Sequence, residues 1–201
     1  MFNLLIEETV RIWIAGGWLM IPLTILSGII YKSVFSLFFE LRRQRFLSAD
    51  QNRWAHWIDV PEEAEGDLGA IIRHTSEDIE SEADLRRRFA EVRTTLIPDY
   101  TTRIRTATIL VSAAPLTGLL GTVTGMLSTF AGLSISTAGN SIDLVAGGIS
   151  EALITTQTGL VMAIPAYVLL SRITRYRDDL ELFLVKAENL AVQAYSRRKA
   201  A

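Results

Sequence analysis

A single carboxylate, Glu151, stands inside a long apolar segment and is the first residue of this sequence to consider for chemistry. The segment from Asp143 to Pro165 reads DLVAGGISEALITTQTGLVMAIP and is apolar enough to enter a lipid bilayer. A carboxylate at mid-membrane depth costs roughly 2.5 to 3.5 kcal/mol on insertion scales, so such residues usually face a bundle interior or a water-filled path. The position of Glu151 therefore predicts a functional carboxylate.

Threonine hydroxyls lie at helical spacing from this carboxylate. If the segment is helical, Thr155, Thr158 and Met162 share one face with Glu151, because they follow it by four, seven and eleven residues. Thr156 borders that face. A carboxyl flanked by hydroxyl oxygens is suited to hold a proton or a small cation. The alternative is a structural role, in which Glu151 is buried by pairing with a neighbouring helix.

The composition restricts the classes of protein to be considered. The length of 201 residues predicts one domain, and 49% hydrophobic residues with 21% charged residues are typical of a membrane protein with a polar portion. A net charge of −2 argues against a nucleic-acid partner, and the absence of cysteine excludes a disulfide framework and cysteine-type zinc sites. The start, MFNLLIEETV, lacks the basic region of a cleaved signal peptide, so none is expected.

Enzymatic chemistry finds little support in this sequence. The two histidines, His56 and His74, are isolated and are expected to be solvated or structural. There is no nucleophile–histidine–acid set and no phosphate-binding loop. We therefore expect no enzyme activity, no metal site and no cofactor other than a transported ion.

Three apolar stretches predict membrane helices. The first begins IWIAGGWLMIPLTILSGIIY, and these twenty uncharged residues would span about 30 Å as a helix. Arginines close each predicted helix on one side, and the positive-inside rule makes that side cytoplasmic. The predicted fold is thus an all-α integral membrane protein, N-out and C-in, with three transmembrane helices and long cytoplasmic helical extensions. The expected segments are a periplasmic N-terminal segment (1–11), transmembrane helix 1 (12–39), a cytoplasmic helical region (40–104), transmembrane helix 2 (105–133), a periplasmic loop (134–143), transmembrane helix 3 (144–171) and a cytoplasmic helical tail (172–201).

The second predicted helix is rich in small and hydroxyl side chains. Gly121 and Gly125 form a GxxxG pair and Gly118 adds a further small residue, which permits close helix contact. The threonines of this helix either bond back to their own helix or line a path beside Glu151. These residues are Thr122, Thr124 and Thr129.

The polar portions carry amphipathic patterns. In the tail, apolar residues from Leu180 to Ala194 recur near the helical period, so packing within the chain or between subunits is expected. The acidic group from Glu77 to Asp84, followed by three arginines, is either a solvated face with helix pairs or a docking surface for a cytoplasmic partner. Pro98 is expected to kink or cap the helix that leads into the membrane.

Two motifs in the second and third predicted helices resemble a known signature. They are APLTGLLGTVTGMLSTF (Ala114 to Phe130) and GGISEALITTQTGLVMAIPA (Gly147 to Ala166). In this order and spacing they resemble the MotA/TolQ/ExbB proton channel family. The short chain with three spans favours the ExbB/TolQ branch over the four-helix MotA branch.

The resemblance implies an assembly and a set of roles. It implies a homopentamer around a dimer of an ExbD/TolR-like single-span protein, whose aspartate would be the essential acid of the ion path. Glu151 matches the family's carboxylate near that path, and Thr122 and Thr156 match its path-lining threonines. Gln157 departs from the small or aliphatic residue that is common after the second threonine. Further candidates for the pathway or for helix packing are Thr155, Thr158, Gln157, Gly118, Gly121, Gly125 and Pro115.

The function implied is that of a proton-driven motor in the bacterial inner membrane. It would convert proton motive force into work for outer-membrane transport or another envelope process, with a TonB/TolA-like protein and membrane lipid as further partners. Sodium stays open as the transported ion, because hydroxyl oxygens near a carboxylate also suit it. The alternative function is a structural membrane scaffold that holds partner helices without conducting ions.

Overall fold

The computed structural model is helical, with no strand among the residues it describes. These residues are 2–43, 56–58, 60–64, 66–76, 79, 81–135 and 141–200. The helices are α1 (Phe2–Ala15), α2 (Met20–Arg43), α3 (Gly66–Ser76), α4 (Glu82–Ile135) and α5 (Ser141–Ala200), and a single 3-10 turn (Pro61–Glu63) precedes α3.

Three of the described helices are long and apolar enough to cross a membrane. The corresponding stretches are Met20–Arg42 in α2, Glu82–Ser134 in α4 and Val145–Lys199 in α5. Helices α4 and α5 have 54 and 60 residues, far more than the ~20 residues that one crossing requires. The predicted all-α class, with three helices that could cross a membrane by length and composition, is therefore confirmed for the described part of the chain. The sidedness of these helices stays a prediction.

The first apolar stretch is not one continuous helix. We predicted a helix over 12–39, but α1 ends at Ala15 and α2 begins at Met20. The break lies at Gly17, whose φ of 68° is in the left-handed region that favours glycine. Pro22 stands in the first turn of α2, where a missing backbone N–H costs no helical hydrogen bond. The glycine conformation and the proline position together account for the helix start.

Two other helix boundaries in the structure differ from the predicted ones. Helix α4 continues through Pro98, so this proline does not cap a helix. Helix α4 ends at Ile135 and α5 begins at Ser141, whereas we predicted a loop over 134–143. The turn-forming residues expected in that loop, Gly139 and Asn140, lie outside the described residues.

The chain divides into two compact units that share the long helices. The first unit consists of Met1–Val34 and Thr106–Leu169, and the second consists of Phe35–Arg105 and Leu170–Ala201. In the first unit, the buried residues of α4 and α5 are mostly small, so the two backbones can approach closely. They include Ala107, Val111, Ala114, Ala152, Ala163 and Ala166.

The second unit has a core of larger side chains. Phe89 of α4 and Phe183 of α5 are each only 1% exposed, and Ile72 of α3 is fully buried. The apolar stripe predicted in the tail packs within the chain, which is one of the two alternatives that its period left open. Its buried members are Leu180, Phe183, Leu184, Ala187 and Ala191.

An ion-pair network in the second unit joins α2 to α4. Arg103 donates from Nη2 to Glu40 Oε2 over 2.8 Å and from Nη1 to Glu40 Oε1 over 3.1 Å. The Tyr100 hydroxyl donates to the same Oε1 over 3.3 Å. The hydrogen bond to Glu40 raises the pKa of the Arg103 guanidinium above its ordinary value. The bidentate geometry fixes the register of the two helices at this point.

Removing this network should reduce stability slightly but measurably. We expect Glu40→Gln to lower the free energy of unfolding by on the order of 1 kcal/mol or less, because both side chains are 37% exposed and solvent screens the pair. Arg87→Gln is the matched control, since Arg87 is 78% exposed and its pair with Asp84 should contribute nothing measurable. Thermal unfolding of both variants checks this, and a larger effect of Arg87→Gln would contradict it.

Candidate functional site

Helices α4 and α5 contact each other through glycines that leave no room for a side chain. A Cβ atom added at Gly118 would lie 2.9 Å from the Thr155 carbonyl oxygen and 3.0 Å from the Thr156 Cα. A Cβ at Gly121 would collide with the Thr155 hydroxyl. A Cβ at Gly125 would lie 3.0 Å from the Gly148 carbonyl oxygen, a backbone atom of α5. The two backbones are thus as close as glycine allows.

Helix α5 contributes glycines to the same contact. A Cβ at Gly159 would lie 2.7 Å from the Ala114 carbonyl oxygen and 3.4 Å from the Pro115 Cα. A Cβ at Gly148 would collide with the Thr129 hydroxyl. The contact therefore extends from Gly159, beside Ala114, to Gly148, beside Thr129. It includes Gly118, Gly121, Gly125 and Pro115, which we named from the sequence as candidates for pathway or packing.

The threonines of α5 connect this contact to the segment that carries the carboxylate. Thr155 is 1% exposed, and its hydroxyl donates to the Ala152 carbonyl over 2.9 Å. The Thr156 hydroxyl donates across the contact to the Gly118 carbonyl over 3.0 Å. Thr158 is half-buried and donates to the Ile154 carbonyl of its own helix over 2.8 Å. Of these three threonines, Thr156 is thus the one whose hydrogen bond crosses between helices within normal distance.

The threonines of α4 bond back to their own helix. Thr122 donates to the Leu119 carbonyl over 2.7 Å, and Thr129 donates to the Gly125 carbonyl over 2.8 Å. Thr124 also donates to carbonyls of its own helix. A hydroxyl that donates its hydrogen in this way keeps its lone pairs, so its oxygen can still accept from water, hydronium or a protonated carboxyl. Backbone bonding and a place beside an ion path are therefore compatible.

Glu151 lies against the turn between α1 and α2. Its side chain is half-buried and has no hydrogen bond or ion pair among the described residues. A Cβ atom at Gly17 would collide with Glu151 Oε1 and lie 2.6 Å from its Cδ. A Cβ at the preceding Gly16 would lie 3.1 Å from Ile154 Cγ2, one turn further along α5. The carboxyl group therefore occupies the space that a side chain at Gly17 would need.

The structure separates residues that the helical spacing placed on one face. Glu151 contacts the α1–α2 turn, whereas Thr155 contacts α4. The side of α5 that carries Glu151 meets α2 again at Met162, whose carbonyl accepts a hydrogen bond from the Tyr31 hydroxyl over 3.1 Å. The exposed Gln157 belongs to neither described contact. Within the chain, α5 thus presents its carboxylate and its buried threonine to different elements.

The charge on Glu151 has no basic counterpart in the apolar stretches. Residues 12–31, 106–142 and 144–171 contain no lysine, arginine or histidine. Burying a carboxylate without compensation is costly, so neutralisation calls for a proton, a small cation or a group from another chain. No cluster of potential metal ligands occurs among the described residues. A carboxyl group in apolar surroundings of this kind is suited to bind a proton or a small monovalent cation.

Two features of this site did not emerge from the sequence. The contact between Gly17 and Glu151 joins residues that are far apart in the chain, and the Tyr31–Met162 hydrogen bond does the same. The Gly16–Gly17 dipeptide inside an apolar run was an available signal for the turn, because paired glycines often interrupt helices. No comparable signal pointed to Tyr31.

Comparison with known proteins supports the resemblance noted in the motifs. Residues 63–184, more than half of the chain, match the model of the MotA/TolQ/ExbB proton channel family. The matched range contains both motifs and every residue predicted for the ion pathway. It does not include α1 or α2. A comparison with curated proteins gives no match.

Proposed function

Because the chain belongs to the MotA/TolQ/ExbB proton channel family, we propose that it is the ExbB/TolQ-like ring subunit of a motor driven by proton motive force. With an ExbD/TolR-like partner it converts proton flow into mechanical work for outer-membrane transport or another envelope function. The observation that carries this proposal is Glu151, a half-buried carboxylate that has no ion pair among the described residues and lies in an apolar stretch, 144–171, that contains no basic residue. No catalytic role is part of the proposal.

The proposed location is the bacterial inner membrane, with the N-terminus outside and the C-terminus in the cytoplasm. The most apolar windows of the three long helices are only 22%, 28% and 28% buried inside the chain. Most of their apolar surface therefore requires lipid or another protein chain. Arginines that follow the apolar stretches, such as Arg42 and Arg172, mark the cytoplasmic ends.

The proposed assembly is a ring of five copies around two single-span partner helices. The α4–α5 contact supports a ring wall, because its glycines and the Thr156–Gly118 hydrogen bond give each subunit a closely packed helix pair. The large exposed side chains of both helices are then available for lipid and neighbouring subunits. They include Leu116, Leu119, Leu120, Leu127, Leu153, Val161 and Ile164.

In the proposed mechanism, protons enter from the outer side. The membrane potential contributes about 2.3 kcal/mol per charge per 100 mV. A proton neutralises the partner's aspartate, and neutralisation lowers the cost of moving that side chain past the apolar ring wall. Glu151 then accepts the proton and releases it towards the cytoplasm, and threonine oxygens such as those of Thr122 and Thr156 in successive subunits serve as further acceptors along the path. Successive transfers rotate or tilt the partner helices, which transmit force to a TonB/TolA-like protein.

The alternative is a scaffold that holds partner helices without conducting ions. The contact of Glu151 with the α1–α2 turn would then be a packing feature. Proton uptake that depends on Glu151 distinguishes the two functions, because a scaffold requires the shape of this side chain and not its charge.

Native mass spectrometry of the complex, purified after expression with the neighbouring genes, tests the proposed assembly. We expect a ring of five chains that retains two copies of a small single-span protein with a membrane aspartate. A ring without such a protein would remove the second half of the ion path and favour the scaffold. The sequence of the retained protein would also identify the envelope process.

A further inference from the structure

We propose that Gly17 is a positioning residue for Glu151. The carboxyl group of Glu151 occupies a space at the turn between α1 and α2. This space exists because Gly17 has no side chain. This inference rests on the proposed function, since it assigns the element that holds the carboxylate of the ion path. It concerns a part of the chain that the family match does not cover.

The close approach of the two residues is the first observation. A Cβ atom at Gly17 would collide with Glu151 Oε1, and it would lie 2.6 Å from Cδ and 3.2 Å from Cγ. The entire end of the side chain is therefore in contact with the glycine. An alanine at this position would force the carboxyl group out of its place or push the turn away from α5.

The conformation of the turn is the second observation. Gly17 has a φ of 68°, its N–H donates to the Ile14 carbonyl over 3.3 Å, and its carbonyl accepts from the Met20 N–H over 3.2 Å. The turn is thus bonded on both sides to α1 and α2. Its backbone cannot yield to an added side chain without disturbing the ends of these helices.

A neighbouring contact fixes the same turn against α5. A Cβ at the buried Gly16 would lie 3.1 Å from Ile154 Cγ2 and 2.6 Å from Met20 Cγ. Glu151 and Ile154 are one helical turn apart, so the two glycines contact consecutive positions on one side of α5. A displacement of the turn relative to α5 would consequently move the carboxylate. The α1–α2 turn therefore sets the position of the carboxylate in the ion path.

Cysteine cross-linking tests the contact independently of activity. The chain contains no cysteine, so Gly17→Cys with Glu151→Cys introduces a single thiol pair. We expect this pair to form an intramolecular disulfide on mild oxidation of the native membrane complex, because the two positions are close. The matched pair is Gly28→Cys with Glu151→Cys, since Gly28 has no atom within 4 Å of an added Cβ. Equal cross-linking of both pairs, or none in the first pair, would overturn the proposal.

Proton flux into proteoliposomes tests the consequence. We expect Gly17→Ala to reduce flux through the native complex by up to roughly 100-fold, because a misplacement of about 1 Å can have an effect of that size. Gly66→Ala controls for strain, since Gly66 also has a positive φ of 75° but open space around its Cβ position. Flux through Gly66→Ala should match that of the wild-type chain. If both variants lose flux equally, the effect is due to backbone strain and the positioning role is overturned.

A shorter carboxylate provides a rescue. Glu151→Asp in the Gly17→Ala background removes one methylene and makes room for the added methyl group, so flux should exceed that of Gly17→Ala alone. If flux does not recover in the double variant, the proposed contact between Gly17 and the carboxyl group is contradicted. The failure of this inference is distinct from failure of the proposed function. If the intact wild-type complex does not conduct protons, the proposed function is wrong, whereas normal conduction by Gly17→Ala makes only the positioning role wrong.

Discussion

Glu151→Gln is expected to reduce proton flux through the complex strongly while the ring remains assembled. Glutamine has nearly the same size as glutamate, so it should fill the same space beside Gly17 without altering the packing. It cannot bind and release a proton in the relevant range, and the loss of a positioned proton-transfer group typically reduces a rate by a factor of 10² to 10⁴. We expect a reduction in flux by roughly 100-fold or more on that basis.

A control on the same helix distinguishes the loss of a negative charge in general from the loss of a carboxylate in the proposed ion path. Asp143 stands in the first turn of α5, two turns before Glu151, and is exposed. Asp143→Asn removes the same kind of charge and should leave flux unchanged. Native mass spectrometry of both variants verifies that the ring is intact. Normal flux through an intact Glu151→Gln ring would contradict this prediction and show that the carboxylate has no essential role in conduction.

Gly118→Leu is expected to prevent stable assembly. A Cβ at this position already lies 2.9 Å from a carbonyl oxygen and 3.0 Å from a Cα of α5, and neither backbone atom can move without shifting the helix. The substitution also displaces the Gly118 carbonyl, which accepts the hydrogen bond of Thr156. Overpacking of this kind typically lowers the free energy of unfolding by about 1 to 3 kcal/mol. Because the added side chain would collide with backbone atoms, we expect a loss of stability of about 3 kcal/mol or more.

The matched control for this prediction is Gly147→Leu. Gly147 lies on α5 in the same unit, but an added Cβ would meet no atom within 4 Å. We expect this variant to form the ring at wild-type yield and to dissociate on heating as the wild-type ring does. The Gly118→Leu variant should dissociate at a lower temperature or fail to accumulate in the membrane. Equal behaviour of the two variants would contradict the close α4–α5 contact.

The helices that cross the membrane could be predicted from the sequence because their signal is local. A run of about twenty uncharged residues is apparent without tertiary information, and so are the motifs that carry the family resemblance. The break at Gly17 was harder to predict, since glycine is also common inside uninterrupted membrane helices. The contact of Gly17 with Glu151 of α5 joins residues that are far apart in the chain, and composition does not reveal it.

The residues of the candidate site could be named from the sequence, but their arrangement could not. Helical spacing placed Glu151 and Thr155 about 40° apart on α5, which is close enough to share a face. In the structure the two side chains have different neighbours. Thr155 packs against the glycines of α4, and the carboxyl group of Glu151 packs against the α1–α2 turn. The partner of a residue at the edge of a helix face is decided by the packing of other helices. A periodicity argument contains no information about that packing.

Proton flux through the wild-type complex is the most direct test of the proposed proton-driven function. The complex purified with its partner is reconstituted into vesicles that contain a pH-sensitive dye, and a potassium diffusion potential is imposed with the interior negative. We expect internal acidification that depends on the potential and persists when sodium is absent. If vesicles that contain the intact complex remain impermeable to protons, the proposed function is contradicted. If the flux requires sodium, sodium is the transported ion in place of the proton.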